Sequence, residues 1–121
     1  MTEPRYADIP LDFPRTDLPG SLAGKMPKLA LVEFEGKYYA PGDSPPERYA
    51  RWQWCEDLAH QFQIKCLETK AGKRAAMAET EILQQYLDRL INTNWGTAAE
   101  MRWVMNRVAE LLGWPRPDYV D

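Results

Sequence analysis

The sequence predicts an α+β fold in which helix dominates, with an extended proline-rich N-terminal arm, one β-hairpin and three amphipathic helices. Three observations indicate this fold class. Of the ten prolines, eight lie at or before residue 46 and none lies between residues 47 and 114. A short run of strand-forming residues with a glycine near its middle follows the arm. Three stretches with apolar residues at helical spacing then follow that run.

Length and charge predict an arm at residues 1–20 and a single compact domain at residues 21–121. A chain of 121 residues with 45% hydrophobic residues can bury a core without disulfides or metals. Its net charge of -3 gives no general attraction to phosphate backbones. The sequence contains no apolar run of the roughly 18 residues that span a bilayer, and its start does not resemble a signal peptide. We therefore expect a cytoplasmic protein without membrane contacts.

The arm places apolar residues directly before prolines, as in Ile9-Pro10, Phe13-Pro14 and Leu18-Pro19. Such pairs favour an extended or turning path and exclude regular helix. The arm is also more apolar than a solvated linker needs to be. Whether it packs on its own domain or on a partner is open at this point.

Residues 28–41 predict a hairpin that turns at Glu35-Gly36. Gly36 supplies the positive φ that a tight hairpin turn requires. Because an isolated hairpin is marginally stable in water, one of its faces should rest on helices.

The first predicted helix covers about residues 45–69. Ser44-Pro45-Pro46-Glu47 fits a capping box, with serine at the N-cap and proline at the first helical position. Cys55 and Cys66 lie eleven residues apart in this helix, or about 16 Å along its axis, which is too far for a disulfide within the chain. We expect both cysteines to be free thiols that face the core.

Two further helices are predicted at about residues 79–92 and 97–112. The third helix begins with a capping box, Thr97-Ala98-Ala99-Glu100, and Gly113 ends it. Both helices carry an apolar stripe at i, i+3 and i+4 spacing. Because the connection between them is short, they should pack as antiparallel neighbours.

The residues available for chemistry predict no catalytic site, no metal site and no cofactor. His60 is the only histidine, and on a helix it points about 140° away from Cys55. Glu56 and His60, at i and i+4, could share a proton or form half of a metal site, but zinc needs three or four ligands. We therefore expect a protein that is not an enzyme.

One segment near the arm carries a possible phosphate loop. Ser21, Gly24 and Lys28 match a pattern Ser-x-x-Gly-x-Gln-x-Lys, with Met26 in place of the glutamine. On these residues, the segment 21–59 resembles the glycine-rich loop segment of HipA-like serine/threonine kinase toxins, whose loop covers the ATP phosphates. The resemblance implies phosphate binding at Ser21, Gly24 and Lys28 but no kinase activity, because the catalytic lobe has no counterpart here. Alternatively, these are ordinary turn residues before the hairpin.

The densest basic cluster runs from Lys65 to Arg74, and its candidate phosphate contacts are Lys70, Lys73 and Arg74. Alternatively, the cluster is a solvated helix end whose cations complement the helix dipole. Acidic neighbours such as Glu68 and Glu79 weaken its positive potential, so this alternative is favoured.

Several aromatic residues lie outside the apolar stripes of the predicted helices. These residues indicate an interaction surface. Tryptophan and tyrosine concentrate at interface centres because they bury a large area at little cost in rotamer entropy. The candidates are Trp54, Trp103, Trp114, Tyr119 and Phe13. We therefore expect a small non-catalytic interaction or regulatory module that binds another protein or a second copy of itself. The chain as a whole is similar to small proteins carried by bacterial mobile elements, which suggests a mobile-element or toxin–antitoxin-like context. The alternative is a nucleotide- or nucleic-acid-binding regulator that uses the Ser21–Lys28 loop or the Lys65–Arg74 cluster.

Overall fold

The computed structural model of the chain describes residues 5–14, 31–72 and 74–117. In this part of the chain, helix dominates and the only sheet is a two-stranded antiparallel hairpin, so the predicted α+β class is confirmed. The elements in chain order are a 3-10 helix (Tyr6–Asp8), β1 (Val32–Phe34), β2 (Lys37–Tyr39), α1 (Pro45–Ala71), α2 (Glu79–Ile91) and α3 (Ala98–Leu112).

Contacts along the chain cluster in two units, Met1–Gln53 and Trp54–Asp121, which are described separately below. The boundary between the two units falls inside α1. The predicted division into an arm at 1–20 and one domain at 21–121 places the boundary elsewhere, and it stays a prediction.

The hairpin of the first unit turns where the sequence predicts. Val32 pairs with Tyr39, and Phe34 pairs with Lys37 across the turn. Glu35 and Gly36 both have positive φ, 50° and 80°, as a two-residue type I′ turn requires. The strands are three residues each, shorter than the predicted range 28–41, whose residues 28–30 lie outside the described part of the chain.

The described part of the arm folds onto its own unit. The ring of Tyr6 makes edge contacts with Phe34 at 5.7 Å and with Tyr49 at 5.8 Å between centroids. Phe13 is buried, the guanidinium of Arg48 lies over its ring, and Arg48 Nη2 donates a 3.1 Å hydrogen bond to its carbonyl oxygen. The path is not purely extended, because residues 6–8 form one turn of 3-10 helix.

The start of α1 departs in detail from the predicted capping box. The Ser44 carbonyl accepts the first helical bond from Arg48, and the Glu47 carboxylate accepts from the backbone N–H of Ser44. The Ser44 hydroxyl donates to the Glu47 carboxylate rather than accepting from the backbone. A carboxylate is the stronger acceptor, and these bonds, led by the one from the hydroxyl, lower the pKa of Glu47.

The second unit has a core built from one face of α1 together with α2 and α3. The core side chains of α2 and α3 largely follow the predicted stripes; buried are Ile82, Leu83, Leu87, Leu90, Met101, Val104, Met105 and Val108. The capping box of α3 is present as predicted, with Thr97 and Glu100 each bonded to the backbone N–H of the other. Gly113 ends α3 at φ 69°, a left-handed conformation that glycine adopts without strain.

No helix within the described ranges is both long enough and apolar enough to cross a membrane.

Candidate functional site

One face of α1 carries apolar side chains outside the core. Ile64 is 59% exposed and Leu67 is 50% exposed. Ile64 lies nine residues after the fully buried Cys55, a rotation of about 180° on a helix, so it points directly away from the core. Leu67 follows one turn later on the same side. We call Ile64 and Leu67 the apolar face of α1.

Polar residues flank this face, one turn before it and one turn after it. His60 precedes Ile64 by four residues and Glu68 follows it by four, and both are exposed. The His60 ring lies 3.0 Å from a Glu56 carboxylate oxygen, as the predicted i, i+4 pair requires. A basic and an acidic side chain therefore stand at equal distances on either side of Ile64.

Glu56 is held mainly by α3 rather than by His60 alone. Arg107 Nε donates to Glu56 Oε1 at 2.9 Å, and Arg107 Nη2 donates to Oε2 at 3.0 Å. Burial by itself raises the pKa of Glu56, but the hydrogen bonds and positive charges of Arg107 and His60 outweigh it and lower the pKa below its ordinary value. This arrangement ties two helices together and leaves Glu56 as a poor proton acceptor.

The predicted aromatic surface is only partly exposed. Trp54 is 38% exposed and Trp114 is half-buried. The prediction is wrong for Trp103, which is 6% exposed, and for Phe13, which is 3% exposed. Trp103 lies about 200° around α3 from Met101, so this helix is buried on two faces. Phe13 is covered by Arg48 of its own unit. Tyr119 lies outside the described residues.

A small cleft lies between the end of α1 and α2. It has a volume of about 280 Å³, and we call it the basic cleft; its lining residues are Glu68, Thr69, Arg74, Tyr86 and Arg89. The hydroxyls of Thr69 and Tyr86 lie 2.8 Å apart, and either can be the donor. The guanidinium of Arg89 lies over the ring of Tyr86 at 5.4 Å.

The predicted phosphate-binding residues do not form one site in the described structure. Arg74 lines the basic cleft, whereas Lys70 Nζ donates a 2.8 Å hydrogen bond to the Met77 carbonyl. Four of the predicted residues lie outside the described part of the chain: Ser21, Gly24, Lys28 and Lys73. Of the two predicted residues that the structure describes, Arg74 thus lines the cleft and Lys70 closes the connection from α1 to α2.

No metal centre is found in residues 5–14, 31–72 and 74–117, and Cys66 is not an activated thiol. These residues contain no group of three histidine, cysteine or acidic side chains that could hold a metal ion. Cys55 and Cys66 form no disulfide and are fully buried, as predicted, and burial raises the pKa of Cys66 to about 11. A thiol with so high a pKa is a weak nucleophile near neutral pH.

Sequence reasoning missed five residues of these surfaces, namely Ile64, Leu67, Thr69, Tyr86 and Arg89. Ile64 and Leu67 could have been found as an apolar i, i+3 pair that lies off the core stripe of α1. Tyr86 and Arg89 have the same spacing on α2, which predicts that a cation stacks on a ring but not that both face α1.

No protein-family model, curated protein or solved structure matches the chain.

Proposed function

We propose that this protein is a small non-catalytic interaction module that associates with a second copy of itself through the apolar face of α1. The observation that carries the proposal is the exposure of Ile64 on the side of the helix opposite Cys55. More than half of this branched apolar side chain is left outside the core of its own unit. The exposed part gains hydrophobic stabilisation only when another surface covers it.

The polar side chains beside this face favour an antiparallel copy. When two α1 helices run antiparallel with Ile64 opposite Ile64, residues four before and four after the centre oppose each other. Each His60 imidazole then lies opposite a Glu68 carboxylate of the other copy, and Leu67 lies opposite the aliphatic stem of Gln61. A hydrogen bond from the imidazole N–H to the carboxylate favours this register.

The small size of the face sets the strength expected of this association. Stable interfaces bury about 1,200–2,000 Å² in total, far more than two half-exposed side chains on each copy provide. We therefore expect a weak dimer, with a dissociation constant of about 0.1–1 mM.

The proposal places the protein in the cytoplasm of a bacterium, in a mobile-element or toxin–antitoxin-like setting. Two cysteines that form no disulfide are typical of a reducing compartment. The resemblance of residues 21–59 to HipA-like loops supports the setting. A nucleotide- or nucleic-acid-binding role for the Ser21–Lys28 loop remains the alternative.

Sedimentation equilibrium between about 0.01 and 1 mM protein tests the association. We expect the average mass to rise with concentration in the wild type and to stay monomeric in Ile64→Lys, which places a charge at the centre of the interface. Ile91→Lys is the matched control, because Ile91 is 37% exposed on α2 and outside the face. A wild-type mass that stays monomeric throughout this range contradicts the proposal.

Disulfide trapping tests the antiparallel register. Ile64→Cys places two thiols opposite each other, so mild oxidation should link two chains rapidly. Leu67→Cys faces Gln61 of the other copy and should link slowly. The native cysteines do not interfere, because both are buried. Equal rates for the two variants contradict the register.

A further inference from the structure

The basic cleft combines two guanidinium groups with two hydroxyl groups. Arg74 comes from the connection after α1, Arg89 and Tyr86 come from α2, and Thr69 comes from the last turns of α1. Arginine presents a planar fork of N–H donors that matches the oxygens of a phosphate group. The Thr69–Tyr86 pair adds a further donor, because two hydroxyls that share one hydrogen bond retain one proton to donate.

Neither arginine is neutralised by a partner among the described residues. No ion pair joins Arg74 or Arg89 to a carboxylate in that part of the chain. Glu68, at the wall of the cleft, supplies one negative charge against two positive ones. Arg89 is also held in place by the ring of Tyr86, so less side-chain entropy is lost when it binds an anion.

We propose that the basic cleft binds a single dianionic phosphate group, free or as a monoester, held by Arg74 and Arg89 and by the Thr69–Tyr86 hydroxyl pair. None of these four residues belongs to the apolar face of α1, so their variants test this site separately from self-association. The dianionic form of the phosphate is the form that binds, since its charge matches the two guanidinium groups.

The surroundings of the cleft favour a small ligand over a nucleic acid. Arg89 already lies over the ring of Tyr86 at 5.4 Å, and Phe62 makes an edge contact with that ring at 5.4 Å, so a base would compete with Arg89 for stacking on Tyr86. The volume of about 280 Å³ lies just below the roughly 300 Å³ at which pockets for drug-sized molecules begin. Glu68 and the net charge of -3 oppose a long polyanion.

Nuclear magnetic resonance titration of the full chain with glycerol phosphate and with inorganic phosphate tests the assignment. We expect saturable shifts of the side-chain N–H signals of Arg74 and Arg89, with binding that weakens as salt rises from about 50 to 200 mM. Binding should also weaken between pH 7.5 and 5.5, because a phosphomonoester gains a proton near pH 6. Tighter binding of glycerol phosphate than of inorganic phosphate identifies an organic ligand, and the reverse identifies free phosphate; either result supports the site.

Single substitutions distinguish specific binding in the cleft from non-specific electrostatic attraction of the anion. Arg74→Gln and Arg89→Gln should each weaken glycerol phosphate binding about tenfold, and Tyr86→Phe should weaken it a few-fold. Glu68→Gln should tighten it. Arg116→Gln removes the same charge from an exposed arginine outside the cleft and should leave binding unchanged. Circular dichroism of each variant checks that the fold is retained.

Three results overturn the proposal. The first is an absence of saturable shifts with both probes. The second is a dissociation constant that Arg74→Gln, Arg89→Gln and Arg116→Gln change equally. The third is a single-stranded oligonucleotide that binds at least about tenfold more tightly than glycerol phosphate and depends on the same two arginines, which would assign the cleft to nucleic acid.

Discussion

At the scale of single residues, the main contribution of Glu56 is its ion pair with Arg107 of α3. Its two carboxylate oxygens accept from Nε and Nη2 of Arg107, a two-point contact that fixes both side chains. Arg107 also pairs with Glu110, which is half exposed. The geometry therefore distinguishes a well-held acid, Glu56, from a solvated one, Glu110, on the same guanidinium.

The lowered pKa of Glu56 predicts how stability depends on pH. A carboxylate whose pKa is lowered by folding stabilises the protein above its unfolded pKa of about 4.3, and this contribution is lost as pH falls through the folded pKa. Glu56→Gln should therefore cost about 1 kcal/mol of unfolding free energy at pH 7, and the difference from wild type should shrink below about pH 4.5.

Urea unfolding at several pH values measures this difference. Glu110→Gln is the control, since its exposed pair should contribute less than about 0.5 kcal/mol. A cost for Glu56→Gln that is the same at pH 7 and pH 3 would show that the carboxylate charge does not contribute.

At the scale of elements, the start of α3 has the clearest sequence signal. The Thr97 hydroxyl accepts from the Glu100 backbone N–H at 3.1 Å, and the Glu100 carboxylate accepts from the Thr97 backbone N–H at 2.9 Å. Both bonds satisfy N–H groups that have no partner within the helix.

We predict that Thr97→Ala lowers the unfolding free energy by about 1 kcal/mol, because it removes one of these bonds. Thr97→Ser keeps the hydroxyl and should recover most of the loss. Thermal or urea unfolding of the three proteins measures the effect. Equal stability of wild type and Thr97→Ala would mean that water replaces the cap without cost.

Local sequence patterns predicted the elements well because their causes are local. Glu35-Gly36 specifies the turn, and Gly113 specifies the end of α3, each through its own φ angle. The burial of Trp103 could not be predicted in this way, because it depends on what covers a second face of α3. The same holds for the cleft, since the spacing of Tyr86 and Arg89 does not show that Thr69 lies opposite them.

At the scale of the whole molecule, the labelling rate of two buried thiols measures how often the second unit opens. Cys55 and Cys66 lie on the core face of α1, and both are fully buried. A thiol must be exposed and deprotonated to react, and burial raises the pKa of Cys66 to about 11. Its labelling therefore requires the unit to open.

We predict that a thiol reagent at pH 8 labels the native protein at least about a hundredfold more slowly than the denatured protein. Ile64→Cys supplies an exposed thiol on the same helix and should be labelled at once, which gives an internal standard. Mass spectrometry of the labelled chain counts the modified sites. Rapid labelling of both native cysteines would show that α1 is not held against the core.

The hydrogen bond from Lys70 Nζ to the Met77 carbonyl has a consequence for recognition. It links the last turn of α1 to the end of the connection that precedes α2, and Arg74 lies in that connection. A restrained loop loses less conformational entropy when it binds an anion, so this hydrogen bond preorganises the cleft for binding. Lys70 thus raises the affinity of the cleft for an anion without contacting it, because it restricts the conformations of the loop that carries Arg74.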